Sequence, residues 1–200
     1  MSEDKIPRFT EFETKYRTEI SQLLPTKIIL ESLPDLQKFI YCQGPDTYYT
    51  KPDGSFGRYR RGQFPWSDKF AQWTIKQKRE GAKNNVQRFE SNWRVDGTPA
   101  NEIAAGAEAG GYKFNFEIWK MCHIYYFPDA TLVFYTVREK GRTEVAHFIE
   151  IEVKEETIHE LTEQQAWDVI AKYEKILEPV GISPQKRLRK SLYEMYVKEL

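Results

Sequence analysis

Charged residues two positions apart recur along this 200-residue chain. Glu11 and Glu13 are followed by Lys15, and a late segment repeats the pattern as Glu150, Glu152 and Lys154. Between them come Arg58 and Arg60, then Thr74, Lys76 and Lys78, then Arg88, Glu90, Asn92 and Arg94, and then Lys120 with Cys122 two residues on. A spacing of two puts side chains on one face of a β-strand. One such strand is ordinary, because antiparallel sheets commonly have one wetted face. Six of them, with acidic pairs on the first and last and basic pairs between, are a pattern. If the sheet curls with its apolar faces outward, the charges line an interior. Unpaired buried charge is costly, so such an interior binds something. Arg and Lys hold phosphate oxygens, and carboxylates hold hard divalent cations. Phosphoryl transfer asks for this combination of positioning and charge neutralisation.

The elements that carry these residues read as strands. Apolar and polar residues alternate over Thr10–Tyr16, Phe56–Arg61, Trp73–Lys78, Val86–Val95, Phe114–Tyr126, Leu132–Val137 and Ala146–Val153. Tyr48 and Tyr49 belong to a further strand. The faces opposite the charges carry Phe12, Thr14, Tyr16, Tyr59, Trp73, Ile75, Phe89, Trp93, Phe148, Ile149, Ile151 and Val153. Pro52-Asp53-Gly54, Asp96-Gly97 and Lys140-Gly141-Arg142 supply turns. Residues 17–38 hold helical turns interrupted by Pro25 and Pro34, and Ala104–Gly111 is a loop or small helix. Thr162 and Gln165 form a capping box that opens a helix over Glu163–Leu177, stopped by Pro179 and Gly181. Ser183-Pro184 reads as the start of a last helix reaching about Val197, with Leu188, Leu192 and Tyr196 as its apolar stripe. The expected fold class is α+β: a closed eight-stranded antiparallel β-barrel, a tunnel, with helices packed outside.

Composition bounds the reading. Thirty basic and thirty acidic residues cancel, so no general polyanion-binding surface is implied. Aromatics at 14% mark a folded chain rather than a disordered one. The length fits a single domain over residues 1–200. Two cysteines cannot form a disulfide framework, and the expected location is cytoplasmic, with no membrane span and no secretion signal.

The ordered set Glu11-Phe-Glu13-Thr-Lys15-Tyr16, Asp46-Thr-Tyr48-Tyr49, Arg58-Tyr-Arg60, Thr74-Ile-Lys76-Gln-Lys78, Arg88-Phe-Glu90, Phe148-Ile-Glu150-Ile-Glu152 and Lys190-Ser191-Leu192-Tyr193 resembles the CYTH, or triphosphate tunnel metalloenzyme, superfamily. The resemblance spans about Glu11 to Tyr196. It implies an eight-stranded tunnel that acts on a triphosphate with Mg²⁺ or Mn²⁺. It also implies roles. Glu11, Glu13, Glu150 and Glu152 resemble the metal-binding acids. Glu90 resembles the acid of the middle strand, reaching a second metal or orienting water. Lys15, Arg58, Arg60, Lys76, Lys78, Arg88 and Lys120 resemble the phosphate ligands, with Arg138 and Lys190 as further candidates. The catalytic group expected on this basis is Glu11, Glu13, Lys15 and Glu90. Cys122 stands where the family commonly has Arg, and Asn92 where a second acid often follows.

The implied activity is a metal-dependent triphosphatase. Its substrate would be inorganic triphosphate, a nucleoside triphosphate, thiamine triphosphate or an RNA 5′-triphosphate end. Alternatives are a class IV-type adenylyl cyclase, a noncatalytic triphosphate- or nucleotide-binding module, and a purely structural barrel. The partner is therefore a small triphosphate or an RNA 5′ end, acting on a monomer or homodimer. The remaining residues have plainer readings. His123, His147 and His159 lack metal spacing, and Cys42 and Cys122 read as small buried residues. Tyr48, Tyr49, Trp66 and Trp73 read as packing groups. The basic run Lys186–Lys190 reads as the wet face of a helix, with Arg189 and Lys190 held in reserve near the tunnel mouth.

Overall fold

A computed structural model describes residues 9–64, 69–78, 87–154 and 161–198. It contains β1 (Phe9–Thr18), β2 (Lys38–Thr50), β3 (Phe56–Gln63), β4 (Lys69–Lys78), β5 (Gln87–Arg94), β6 (Lys113–Tyr126), β7 (Ala130–Glu139) and β8 (Val145–Val153). The helices are α1 (Leu23–Glu31), α2 (Ala100–Ala109), α3 (Glu163–Ile176) and α4 (Leu192–Tyr196). Each strand predicted by alternation is present.

The pairing is antiparallel throughout and runs β1–β5–β4–β3–β2–β6–β7–β8 before returning to β1. The seam is a single divided strand. Phe9–Phe12 of β1 pair with β5, and Glu13–Thr18 pair with β8. The result is a curled, tunnel-like sheet that closes through β1 alone rather than through two neighbours paired along their full length.

Apolar residues on the outer face are covered by helices, which leaves the inner face to the charges. Phe12, Tyr16, Leu132, Phe134, Ile149, Ile151 and Val153 pack under Ala166, Ile170, Tyr173 and Leu177 of α3 and its end. Phe12 meets Trp167 edge-on at 5.0 Å. Tyr49, Tyr59 and Ala71 pack with Trp73 and Ile75 under Ala107 of α2. The capping box holds: the Thr162 hydroxyl accepts from Gln165 N, and the Gln165 side chain accepts from Thr162 N at 2.8 Å. Pro25 does not interrupt α1, because it sits in the first turn, where a backbone N–H has no helical partner to lose.

Two expectations are corrected. The predicted helix over Ser183–Val197 is broken. A 3-10 turn spans Pro184–Lys186, the chain then bends through Arg189 and Lys190, and after it only Leu192–Tyr196 is helical. The cause is tertiary: Arg187 bridges to Tyr16 of β1, and Leu188 N donates to Lys15 O at 2.8 Å. Arg187 is accordingly not on a wet face, since its guanidinium pairs with Glu174 of α3. Phe148 is the second correction. Alternation puts it on the face of Glu150 and Glu152, inside the tunnel. There it joins Tyr48, Phe56, Phe116, Tyr135, Leu192 and Tyr193 in an apolar plug. Tyr193 stacks on Phe56 at 4.0 Å and donates to Thr50 Oγ1 at 2.9 Å. One part of the interior is therefore aromatic and sealed by α4, and the charges occupy the rest.

Candidate functional site

The cavity inside the sheet measures about 390 Å³. Glu13, Lys15, Arg58, Arg60, Lys76, Glu90, Lys120, Glu150 and Glu152 all line it. Register explains why. β1 against β8 sets Glu13 opposite Glu152 and Lys15 opposite Glu150. β4 against β5 sets Lys76 opposite Glu90 and Thr74 opposite Asn92. β2 against β3 sets Asp46 opposite Arg60, and Tyr48 opposite Arg58.

Some of these charges neutralise one another. Lys15 Nζ lies 2.7 Å from Glu150 and 3.3 Å from Glu13. Lys76 lies 2.6 Å from Glu90, which also accepts from Asn92 Nδ2 at 2.9 Å. Arg60 grips Asp46 through two bonds of 2.8 and 2.7 Å. Burial opposes ionisation of Asp46 and Glu90. Arg60 outweighs it at the first, and Lys76 with Arg58 at the second, bringing both carboxyls down to about 2.

Among the described residues, two cavity cations have no carboxylate at ion-pair distance. Lys120 is buried, has no carboxylate within ion-pair distance, and rests over the Tyr135 ring at 3.9 Å. Burial lowers its pKa. Arg58 touches only Thr74 Oγ1, at 3.4 Å, and its Nε is buried without a partner. Across the cavity Glu13, Glu150 and Glu152 stand together, with Lys15 pairing to the first two. Burial, then the Glu13 and Glu90 carboxylates, push Glu152 up to about 8, and burial with Glu13 raises Glu150.

Glu152 makes stability depend on pH. Its folded pKa lies above the unfolded value, so the folded state holds the extra proton. This contribution is full below about 4.5 and is lost as pH rises through about 8. Asp46 acts in the opposite sense, contributing above about 3.8 and losing its effect as pH falls toward about 2. The melting temperature of the metal-free protein should therefore fall from mildly acidic to mildly alkaline pH. A flat profile there would contradict the burial assigned to Glu152.

The carboxylates fit a divalent cation in chemistry and in charge, since Glu13, Glu150 and Glu152 offer hard oxygens and neighbouring carboxylates raise Glu150 and Glu152. They are not set in a ready-made cluster. Among the described residues no three His, Cys, Asp or Glu side chains converge in metal-binding fashion.

Not every predicted site residue joins the cavity. Arg138 does not, because the interior positions of β7 are Val133 and Tyr135, and the alternation puts Arg138 on the exposed outer face. Lys190 is exposed, and the neighbouring Ser191, Leu192 and Tyr193 line the cavity instead. The side chains of Glu11, Lys78 and Arg88 lie outside the described part of the structure, as do Trp66 and His159. Backbone register sets Arg88 opposite both Glu11 and Lys78. Asp46 and Tyr135 line the cavity without having been assigned a role. The signal for Asp46 is its place two residues before Tyr48, in the motif Asp46-Thr-Tyr48-Tyr49.

No protein-family profile matches the chain, and no curated protein matches it in sequence. Solved structures do match in fold. The chain is similar to the PH1819 protein of Pyrococcus horikoshii at 21% identity, covering 92% of this chain and 97% of that one with a TM-score of 0.65. It is similar to a provisionally assigned adenylate cyclase of Vibrio parahaemolyticus at 16% identity, covering 94% and 97% with a TM-score of 0.66. It is also similar to a chain of the Schizosaccharomyces pombe Mediator head module at 12% identity, covering 85% and 95% with a TM-score of 0.59. The likeness shows a fold shared with these structures. A fold found in proteins so differently described leaves activity to be argued from the site. No helix among the described residues is long and apolar enough to cross a membrane.

Proposed function

We propose that the chain is a divalent-metal-dependent hydrolase that removes the terminal phosphate of a triphosphate inside the tunnel. One observation carries the reading. Among the described residues, buried Lys120 and half-buried Arg58, whose Nε is buried without a partner, have no carboxylate at ion-pair distance, and they face the same cavity as Glu150 and Glu152, two carboxyls raised by burial and by neighbouring carboxylates. A polyphosphate with its cation completes both halves at once. Arg58 and Lys120 donate to phosphate oxygens, and Lys76 and Arg60, held by Glu90 and Asp46, flank them. Mg²⁺ or Mn²⁺ held by Glu13, Glu150 and Glu152, with Glu11 of the same strand, would supply charge neutralisation at the scissile phosphate. Glu90, clamped between Lys76 and Asn92, orients the attacking water. Water adds to the terminal phosphorus, the bridging P–O bond breaks, and diphosphate and phosphate leave.

Calorimetry with tripolyphosphate tests the binding half. Lys120→Ala should weaken affinity by about 10- to 100-fold, the worth of one charge-assisted contact. Unchanged affinity would remove Lys120 from the site.

A noncatalytic triphosphate-binding module is the second reading, favoured by the absence of a ready-made metal cluster among the described residues. It differs by giving tight binding without turnover. Cyclase activity would instead yield cyclic AMP and diphosphate from ATP, so the products separate it from hydrolysis.

A further inference from the structure

The tunnel wall holds a second chemical group that triphosphate chemistry does not use. Cys42 of β2 and Cys122 of β6 are register partners, directly opposite each other on adjacent antiparallel strands. Both are free thiols, both are buried, and both line the cavity. Both belong to the same packed cluster inside the sheet. Opposed residues on antiparallel strands have Cβ atoms about 4.5–5.5 Å apart, and a disulfide needs about 3.5–4.5 Å, so a small local movement suffices.

The surroundings divide the roles of the two sulfurs. The neighbouring Cys42 thiol, followed by the charges of Lys120 and Arg60, outweighs burial and brings Cys122 down to about 7. Cys42 is raised by the Cys122 thiol and by its own burial. A thiolate held beside cations with a second thiol opposite it is the arrangement of an attacking and a resolving cysteine.

We propose that Cys42 and Cys122 form a redox site in the tunnel wall that a hydroperoxide converts to an intramolecular disulfide. The Cys122 thiolate attacks one peroxide oxygen, the O–O bond breaks, and a sulfenic acid forms as hydroxide leaves. The Cys42 sulfur then attacks the Cys122 sulfur. The S–O bond breaks, and the departing hydroxyl takes up the Cys42 proton as water. Two thiols and one hydrogen peroxide give one disulfide and two waters. The cavity admits an oxidant of this size to side chains that the outer surface does not expose. A directly opposed cross-strand bridge of this kind belongs with the reducible disulfides, so the step is reversible.

The test uses the full chain, hydrogen peroxide and no phosphate compound, so its outcome is independent of the hydrolase reading. Wild type should lose both thiols together and stay the same size on a non-reducing gel. Its mass should fall by about 2 Da and be restored by dithiothreitol. Cys42→Ser should stop at a sulfenic acid on Cys122 that dimedone captures. Cys122→Ser should leave Cys42 reacting at least about tenfold more slowly. Thiols that survive in folded protein under conditions that oxidise the unfolded chain would overturn the proposal. So would a bridge between molecules, or Cys42 reacting at the wild-type rate in Cys122→Ser.

Discussion

Glu152→Gln should cut metal-dependent phosphate release by about 10²- to 10³-fold, the cost of removing one preorganised electrostatic contact. The same change should leave the metal-free protein at least as stable as wild type at alkaline pH. Both halves follow from one fact. Glu152 is half-buried in the cavity wall among carboxylates, with no cation at ion-pair distance among the described residues, and its proton is held up to about 8. Glutamine keeps the shape and removes the charge whose burial is unfavourable. A residue that destabilises the metal-free fold while its carboxylate is needed for activity marks a functional site. The assay is phosphate release alongside thermal melting of the metal-free protein across the same pH range. Full turnover in Glu152→Gln would remove the residue from the proposed site. Loss of stability at every pH would show that the carboxylate is structural.

Arg187→Ala should destabilise the fold by about 3 kcal/mol, because it leaves a buried carboxylate without its cation. Arg187 makes two bonds of 2.6 and 2.7 Å to Glu174, a side chain only 3% exposed. Tyr16 donates to the same carboxylate at 2.5 Å, and the guanidinium lies 4.6 Å over the Trp167 ring. This cluster ties β1, α3 and the C-terminal segment together outside the tunnel. The segment continues to Leu192 and Tyr193, which seal one part of the interior. Chemical denaturation checks the figure, and a change below about 1 kcal/mol would place the pair among surface ion pairs. Arg187→Met with Glu174→Gln should recover part of the loss, since the unpaired charge is gone while the glutamine oxygen still accepts from the Tyr16 hydroxyl.

The strands were legible because their polar residues are charged and their apolar partners are aromatic or β-branched, so alternation is strong on both faces. The side of each strand was legible wherever charge marked it. Phe148 was misplaced because it shares the inner face with Glu150 and Glu152 while being apolar, and the interior is divided between charge and an aromatic plug. Arg138 was proposed for its cationic type, but β7 contributes no charge to the cavity; Tyr135 occupies the inward position and meets Lys120 from below. Turns mark which neighbours pair, but not their register. The divided seam on β1, the Asp46–Arg60 clamp and the opposition of Cys42 and Cys122 are products of register, which local pattern does not carry. The last segment failed for a related reason. Its helical stripe is real, but Arg187 and Leu188 gain more by binding β1 and α3 than by continuing a helix.

The central claim is that the tunnel turns over a triphosphate, and phosphate release with product identification tests it most directly. The panel is tripolyphosphate, ATP, GTP, thiamine triphosphate and triphosphorylated RNA, each with Mg²⁺ and with Mn²⁺. The account predicts release from at least one of them, abolished by chelator and by Glu13→Ala. Silence across the whole panel, in protein that calorimetry shows to bind tripolyphosphate, would contradict it and make the tunnel a receptor.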